Sequence, residues 1–204
     1  MPVRLTLREG LKLQLPEPSL GLVLEWIGSK PVQLKITRGR TSKLGDYRPP
    51  QNGHGHRISV NGDLNPYEFL ITLAHELAHL EVWEKYGRRV RPHGNAWKHH
   101  FAEKLSVLMD QNVFPEEMRP LILKQIQNPK ATSKADSKLT RALDEHSGEK
   151  EGFFLEDLPA GTIFSLMDGR KFRKEEKLRK WYRCVSLDNR RMYRISPVAR
   201  VKPL

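Results

Sequence analysis

The chain has 204 residues, which is enough for one core domain and a small appendage. Its single cysteine argues against a disulfide framework, and no run approaches the 18 apolar residues of a transmembrane helix. The formal net charge of +12 makes an anionic partner plausible on electrostatic grounds. The N-terminus lacks the apolar stretch of a signal peptide, so we expect a cytoplasmic protein with no membrane partner.

The first predicted element is a helix around 19–27, with Pro16 and Pro18 setting its start. Three strand-like runs follow, at 32–37, 44–48 and 56–61. Before the last of them, Gly53-His54-Gly55-His56 contains two histidines that could bind a metal. We interpret this run as a turn, because flanking glycines just before a strand are typical of one.

A second helix is predicted to begin at Asn65-Pro66-Tyr67-Glu68, with Asn as the N-cap and Pro at the first helical position. Gly87 predicts its end. Between these limits an apolar stripe recurs at roughly helical spacing, formed by Phe69, Leu70, Leu73, Leu77 and Leu80. The stripe is expected to pack a core and to leave the opposite face of the helix open.

The open face carries His75-Glu76-Leu-Ala-His79, an H-E-x-x-H pattern. Two histidines four residues apart lie on one helical face, so both imidazoles can bind one metal ion. The glutamate between them lies at the rim of that face, where it can act as a general base on water. The pattern predicts metal-assisted hydrolysis of an amide bond.

A catalytic zinc site has three protein ligands and one open position. His93, 14 residues beyond His79, is the preferred third ligand because Gly94-Asn95 turns the chain into another helix. The alternatives are His99, His100, an acidic residue, or no third ligand. The core-facing residues of this third helix are predicted to be Trp97, Phe101, Leu105 and Leu108.

H-E-L-A-H followed by P-H-G-x-x-W-K resembles the SprT-like metalloproteases, which include the Spartan proteases of DNA–protein crosslink repair. The resemblance covers roughly residues 5–125. It implies a short antiparallel sheet before the H-E-x-x-H helix. It also implies zinc ligands at His75, His79 and His93 and a general base at Glu76. Tyr47, Tyr86 and Arg91 are open candidates for stabilising the oxyanion.

Many SprT-like relatives end in a zinc ribbon built on two C-x-x-C pairs. Cys184 is the only cysteine here, so that site cannot form, and we expect one zinc ion per chain. The expected fold class is α+β. A minimal zincin-like metalloprotease domain spans 1–126, with helices and a short antiparallel sheet. A polar linker spans 127–150, with some helix around 139–143. A small basic, mostly β domain spans 151–204 and resembles a zinc ribbon without its metal.

Short strands are predicted in the last domain at 153–155, 162–164, 181–185 and 192–195. Residues 160–204 hold 13 Lys or Arg against 4 Asp or Glu. Basic residues interleaved with aromatics suit nucleic acid, because cations neutralise phosphates and rings stack on bases. A solvated basic surface is the alternative. The predicted contact residues are Arg170, Lys171, Arg173, Lys174, Lys177, Arg179, Lys180, Trp181 and Arg183.

The sequence therefore predicts a zinc metalloendopeptidase that acts on proteins bound or crosslinked to DNA, with RNA as another possible partner. One alternative is a nucleic-acid-binding or transcription-associated adaptor whose metal site is not proteolytic. That alternative gives no role to Glu76. The second alternative is a general intracellular peptidase with no nucleic-acid partner.

Overall fold

The computed structural model describes residues 6–40, 42–132, 136–148 and 151–204. The chain divides into two compact units. The first comprises Met1–Ala135 and Ala142–Ser147, and the second comprises Asp136–Arg141 and Gly148–Leu204. No helix within the described ranges is long and apolar enough to cross a membrane.

The first unit is α+β. Its helices are α1 (Leu7–Lys12), α2 (Leu20–Gly28), α3 (Pro66–Tyr86), α4 (Asn95–Asp110) and α5 (Arg119–Gln127), and its strands are β1 (Val32–Thr37), β2 (Gly45–Arg48) and β3 (His56–Asn61). The helix predicted around 19–27 is α2, and a short 3-10 turn at Glu17–Ser19 precedes it. Helix α1 was not predicted; a capping box between Thr6 and Glu9 starts it.

The three-stranded sheet has the order β1-β3-β2. Strands β2 and β3 form an antiparallel hairpin, whose turn residues Asn52 and Gly53 have φ values of 52° and 76°. Two positive φ values are the signature of a tight hairpin turn, in agreement with the turn interpretation of the Gly53-His54-Gly55-His56 run. Strand β1 pairs with β3 in parallel, so the expected antiparallel sheet was wrong: the sheet is mixed. The hairpin brings β3 back in the direction of β1, and β3 inserts between β1 and β2.

Helix α6 (Ser137–Glu145) lies in the stretch predicted as a polar linker, at the place where some helix was expected. Its first half belongs to the second unit and its second half to the first. Leu139 and Leu143 of this helix are buried.

The rest of the second unit is an antiparallel sheet of six strands in the order β4-β9-β5-β6-β7-β8. The strands are β4 (Phe153–Phe154), β5 (Ile163–Leu166), β6 (Lys171–Lys177), β7 (Tyr182–Ser186), β8 (Met192–Ile195) and β9 (Arg200–Pro203). Its core consists of Leu155, Phe164, Phe172, Tyr182, Cys184, Ile195 and Val201. Strands β6 and β9 were not predicted, because each places one core apolar residue among charged ones and shows no apolar alternation.

Candidate metal centre

Helix α3 begins and ends as its caps predict. The Asn65 side chain accepts a hydrogen bond of 2.9 Å from the backbone N–H of Glu68, and Gly87 ends the helix at φ 61°. All five residues of the apolar stripe are buried. His75 and His79 are only partly buried, with ring centroids 4.9 Å apart. Packing of the stripe therefore directs one face of the helix into the core and leaves both imidazoles partly exposed.

The turn before α4 brings His93 to these two histidines. The backbone N–H of Gly94 donates to the carbonyl of Arg91 at 3.0 Å, and His93 lies between them with φ 56°. This left-handed conformation is uncommon for residues other than glycine and is often found where a side chain must be aimed. The resulting turn points the His93 imidazole at the face of α3.

The three Nε2 atoms converge. Those of His75 and His79 are 3.2 Å apart, and the Nε2 of His93 is 3.0 Å from each. In a tetrahedral zinc site with Zn–N bonds of about 2.0–2.1 Å, ligand nitrogens are about 3.3–3.4 Å apart. Three mutually facing Nε2 atoms cannot all be satisfied by hydrogen bonds to one another, because each Nε2 of a neutral ring either donates or accepts and two of the three must have the same role. The cluster fits a metal ion bound through three Nε2 atoms.

Burial also favours the neutral form of the three imidazoles, which is the form that binds a metal ion. Burial, with the neighbouring imidazoles, lowers the pKa of His75 to about 3 and that of His79 to about 4. Burial also lowers the pKa of His93. Neutral imidazole is the metal-binding species, so these shifts favour binding at neutral pH.

The alternative ligands lie elsewhere. His99 is exposed and pairs with Glu103, while the Nδ1 of His100 lies 3.2 Å from Glu81 and from Glu103. Within the described part of the chain, the histidines of the cluster are the only group of three or more potential ligand residues close enough to share a metal ion.

Trp97 forms the floor of the cluster. Its side chain is 1% exposed, and its indole N–H donates to the backbone carbonyl of His75 at 3.3 Å. Its ring centroid lies 4.6 Å from that of His75, 5.6 Å from His79 and 4.7 Å from His93. The sequence predicted Trp97 as a core residue, and the structure shows that this part of the core supports all three imidazoles.

Glu76 lies beside the cluster, in a pocket formed by β2. Its side chain is 7% exposed, and the backbone N–H of Tyr47 donates to its carboxylate. Burial raises the pKa of Glu76 to about 8, with a further contribution from the carboxylate of Asp46. The position of the Glu76 carboxyl group beside three convergent imidazoles suits proton transfer to and from water at the cluster.

Residues 28–117 match the model of the SprT-like family. The chain carries an SprT-like domain. The matched segment contains β1 to α4, including the three histidines and Glu76, so the family predicted from H-E-x-x-H and P-H-G-x-x-W-K is confirmed. Comparisons with curated proteins and with solved structures gave no match.

Among the three candidates for oxyanion stabilisation in the SprT-like domain, Tyr47 alone contacts a ligand. Its ring is nearly parallel to that of His79, with an interplanar angle of 6° and centroids 6.3 Å apart. The Tyr47 hydroxyl is 2.8 Å from Nδ1 of His56. Tyr86 is 38% exposed and Arg91 is exposed, and neither has a ring contact or hydrogen bond with the cluster.

In the second unit, Lys174 is wrong as a predicted nucleic-acid contact. It is 3% exposed, because it lies on the core face of β6. Its ammonium donates to the backbone carbonyls of Leu155 and Leu158, and it lies 3.9 Å from the centroid of the Tyr182 ring. A buried ammonium that is already bonded to carbonyl groups cannot reach a phosphate. Lys174 is therefore part of the core of this unit.

The remaining predicted contact residues reach the surface but differ in their pairing. Arg170 binds Asp168 at 2.8 Å, Arg173 binds Glu175 at 2.7 Å and Arg183 binds Glu176 at 2.9 Å. A second group has no ion-pair partner among the described residues and consists of Lys171, Lys177, Arg179 and Lys180. Trp181, 44% exposed, lies next to Lys180 in the turn between β6 and β7.

The sheet adds Arg194, which the sequence analysis did not select. Arg183 and Arg194 are directly opposite each other on β7 and β8. Opposed residues of an antiparallel pair project from the same face, and like charges in this arrangement are destabilising. Their face is the one away from the core, because Cys184 between Arg183 and Val185 is buried. We call this face, with Lys171, Arg173, Arg183 and Arg194, the cationic sheet face.

Proposed function

We propose that this protein is a zinc-dependent metalloendopeptidase. The observation that carries the proposal is the convergence of three imidazole Nε2 atoms within 3.0–3.2 Å of one another, with a buried glutamate on the same helix. His75, His79 and His93 would hold one zinc ion. When bound, zinc lowers the pKa of water and polarises a carbonyl group.

Glu76 would move the proton. It accepts a proton from the attacking water as the water oxygen bonds to the peptide carbonyl carbon. It returns that proton to the amine nitrogen as the C–N bond breaks. The Tyr47 N–H holds its carboxylate in place for both transfers.

Glu76 also separates this proposal from a non-proteolytic adaptor. A structural zinc site usually has four protein ligands and needs no base beside it. Burying a carboxyl group at 7% exposure has a cost in free energy, which a purely structural site would have no reason to bear. The adaptor therefore leaves the most unusual residue of the site without a role.

We further propose that the substrates are proteins bound or crosslinked to nucleic acid, DNA in the first place. Support comes from the cationic sheet face, where Arg183 and Arg194 are directly opposed on neighbouring strands. A phosphate backbone would neutralise both cations.

The test is cleavage of a basic DNA-binding protein by the zinc-loaded full chain, with and without DNA. Glu76→Gln is the control for the base, and its zinc content is measured alongside. Cleavage that requires both Glu76 and DNA supports the full proposal, and replacing DNA with RNA tests which nucleic acid is used. Cleavage that ignores nucleic acid indicates the general peptidase. A zinc-loaded chain that cleaves nothing would leave the adaptor.

A further inference from the structure

Three aromatic rings are stacked at the edge of the metal centre. The Tyr47 ring lies between His79, at a centroid distance of 6.3 Å, and His56, at 5.8 Å. The planes are nearly parallel, at 6° and 20°. His79 is a proposed ligand, whereas His56 belongs to β3, is 7% exposed and lies outside the cluster of potential ligands.

A hydrogen bond holds the outer pair of the stack together. The Tyr47 hydroxyl lies 2.8 Å from Nδ1 of His56, a normal distance for such a bond. Tyr47 is directly opposite Ile58, so His56, two residues earlier on β3, is its diagonal neighbour on the same face. Diagonal neighbours are within reach of aromatic side chains. The bond thus connects β2 to β3 on the side that faces α3.

Tyr47 touches both functional parts of the site. Its ring lies parallel to the His79 imidazole and offset from it, and its backbone N–H donates to the Glu76 carboxylate. It belongs to β2, a strand of four residues that pairs with β3 at the edge of the sheet. The placement of so short an edge strand depends on side-chain contacts as well as on its ladder.

We propose that Tyr47 and His56 act together as positioning residues, which hold the His79 ring and the Glu76 carboxylate in their working orientation. The inference rests on the proposed zinc peptidase. It assigns a function to a histidine that lies outside the group of potential metal ligands. Partners outside the ligand set of a zinc site typically change metal affinity by about 10- to 100-fold.

A double-mutant cycle tests this coupling. Tyr47→Phe keeps the ring and removes the hydroxyl, and His56→Leu removes the hydrogen-bond partner of that hydroxyl. We expect each variant, and the double variant, to lower zinc affinity and kcat by the same factor of about 10, with KM unchanged. His56→Asn offers an oxygen near the position of Nδ1 and is expected to restore most of the loss. Tyr193→Phe, in the second unit, removes a hydroxyl far along the chain from the cluster; it is the control and should change neither zinc affinity nor kcat.

The readouts separate positioning from a general loss of stability. Zinc affinity is measured by chelator competition. The visible absorption spectrum of the cobalt-substituted protein reports ligand geometry and should change in Tyr47→Phe. Effects that multiply in the double variant, or that follow the melting temperature with an unchanged cobalt spectrum, would overturn the proposal. A wild-type protein that binds zinc but cleaves nothing would overturn the peptidase, while zinc affinity and the cobalt spectrum would still decide the role of this pair.

Discussion

Gly45 lies directly against Glu76: a Cβ at position 45 would lie 2.5 Å from the Oε1 atom of that carboxylate and 2.8 Å from Thr72 Cγ2. Both distances are too short for any side chain. The absence of a side chain at position 45 therefore leaves the space in which β2 packs against the Glu76 carboxylate.

We predict that Gly45→Ala displaces Glu76 without touching a metal ligand. The expected result is a loss of kcat of at least about 100-fold, because a general base contributes roughly 10²- to 10⁴-fold to the rate. Zinc content should stay at the wild-type value. Gly21→Ala is the matched control, since a Cβ there meets nothing within 4 Å. An active Gly45→Ala enzyme would show that Glu76 is not the base or that it tolerates displacement.

The assignment of His93 as the third ligand can be tested by comparing its removal with that of His99. We predict that His93→Ala lowers zinc affinity by more than about 100-fold, beyond the usual effect of residues outside the ligand set. His99→Ala should bind zinc as the wild type does, because His99 is exposed and pairs with Glu103. Chelator competition on the three proteins gives the answer, and equal affinities would contradict the assignment.

Replacing one of the two opposed arginines of the cationic sheet face should raise stability and weaken DNA binding. We expect Arg194→Thr to raise the free energy of unfolding by about 0.2–1 kcal/mol, because the repulsion with Arg183 is removed. The same change should weaken binding to a DNA oligonucleotide and reduce the slope of log K against log salt by about 0.7–0.9.

Arg8→Thr is the control for this prediction, because it removes an exposed arginine from the first unit. Urea denaturation and fluorescence anisotropy at several salt concentrations provide the two measurements. If Arg194→Thr is more stable yet binds DNA with an unchanged salt slope, the cationic sheet face does not contact phosphate.

The metal-free protein should lose stability as the pH falls below about 6.5. The folded-state pKa of His75 is about 3 and that of His79 is about 4, both below the ordinary value of 6.5. As the pH falls from 6.5 toward 4, the unfolded chain binds protons that the folded chain does not, so unfolding becomes more favourable. At pH 5 the loss would be about 1–2 kcal/mol for each imidazole.

The raised pKa of Glu76 changes stability with pH in the opposite direction, so the measurement should use a variant that lacks this carboxyl group. Its folded-state pKa of about 8 exceeds its ordinary value of 4.5, so its contribution to stability is lost as the pH rises between these values. Urea denaturation at pH 7.5 and pH 5 should therefore use Glu76→Gln, after chelation of metal. Adding His75→Gln and His79→Gln to that background should flatten the pH dependence; the same slope in both proteins would contradict the burial of these imidazoles.

Local spacing was sufficient to predict the H-E-x-x-H helix. The N-cap at Asn65, the end at Gly87 and the common face of His75 and His79 all follow from contacts within a few residues of the chain. The SprT-like family could also be predicted from two short motifs. His93 could be selected as the third histidine because Gly94-Asn95 indicates a turn before α4. These features depend on the helical period and on turn chemistry, which short stretches of sequence carry by themselves.

Other features depend on strand pairing and were missed or misjudged. The parallel pairing of β1 with β3 contradicted the expected antiparallel sheet. Lys174 was predicted to lie in an exposed basic run. The register of β6 instead buries its side chain in the core, near Phe172 and Tyr182. A one-residue change of register reverses which side chains are buried, and no local pattern in a charged strand specifies that register.

The sequence by itself was sufficient to predict the proposed ligands and the proposed base, because their identities and their helical spacing are properties of the chain. Only the tertiary structure decided how these residues are held. Tyr47 and Gly45 reach Glu76 because β2 lies along α3, His56 supports Tyr47 because β3 lies beside β2, and Trp97 lies under all three imidazoles. These contacts join residues far apart in the chain, and packing between elements brings them together.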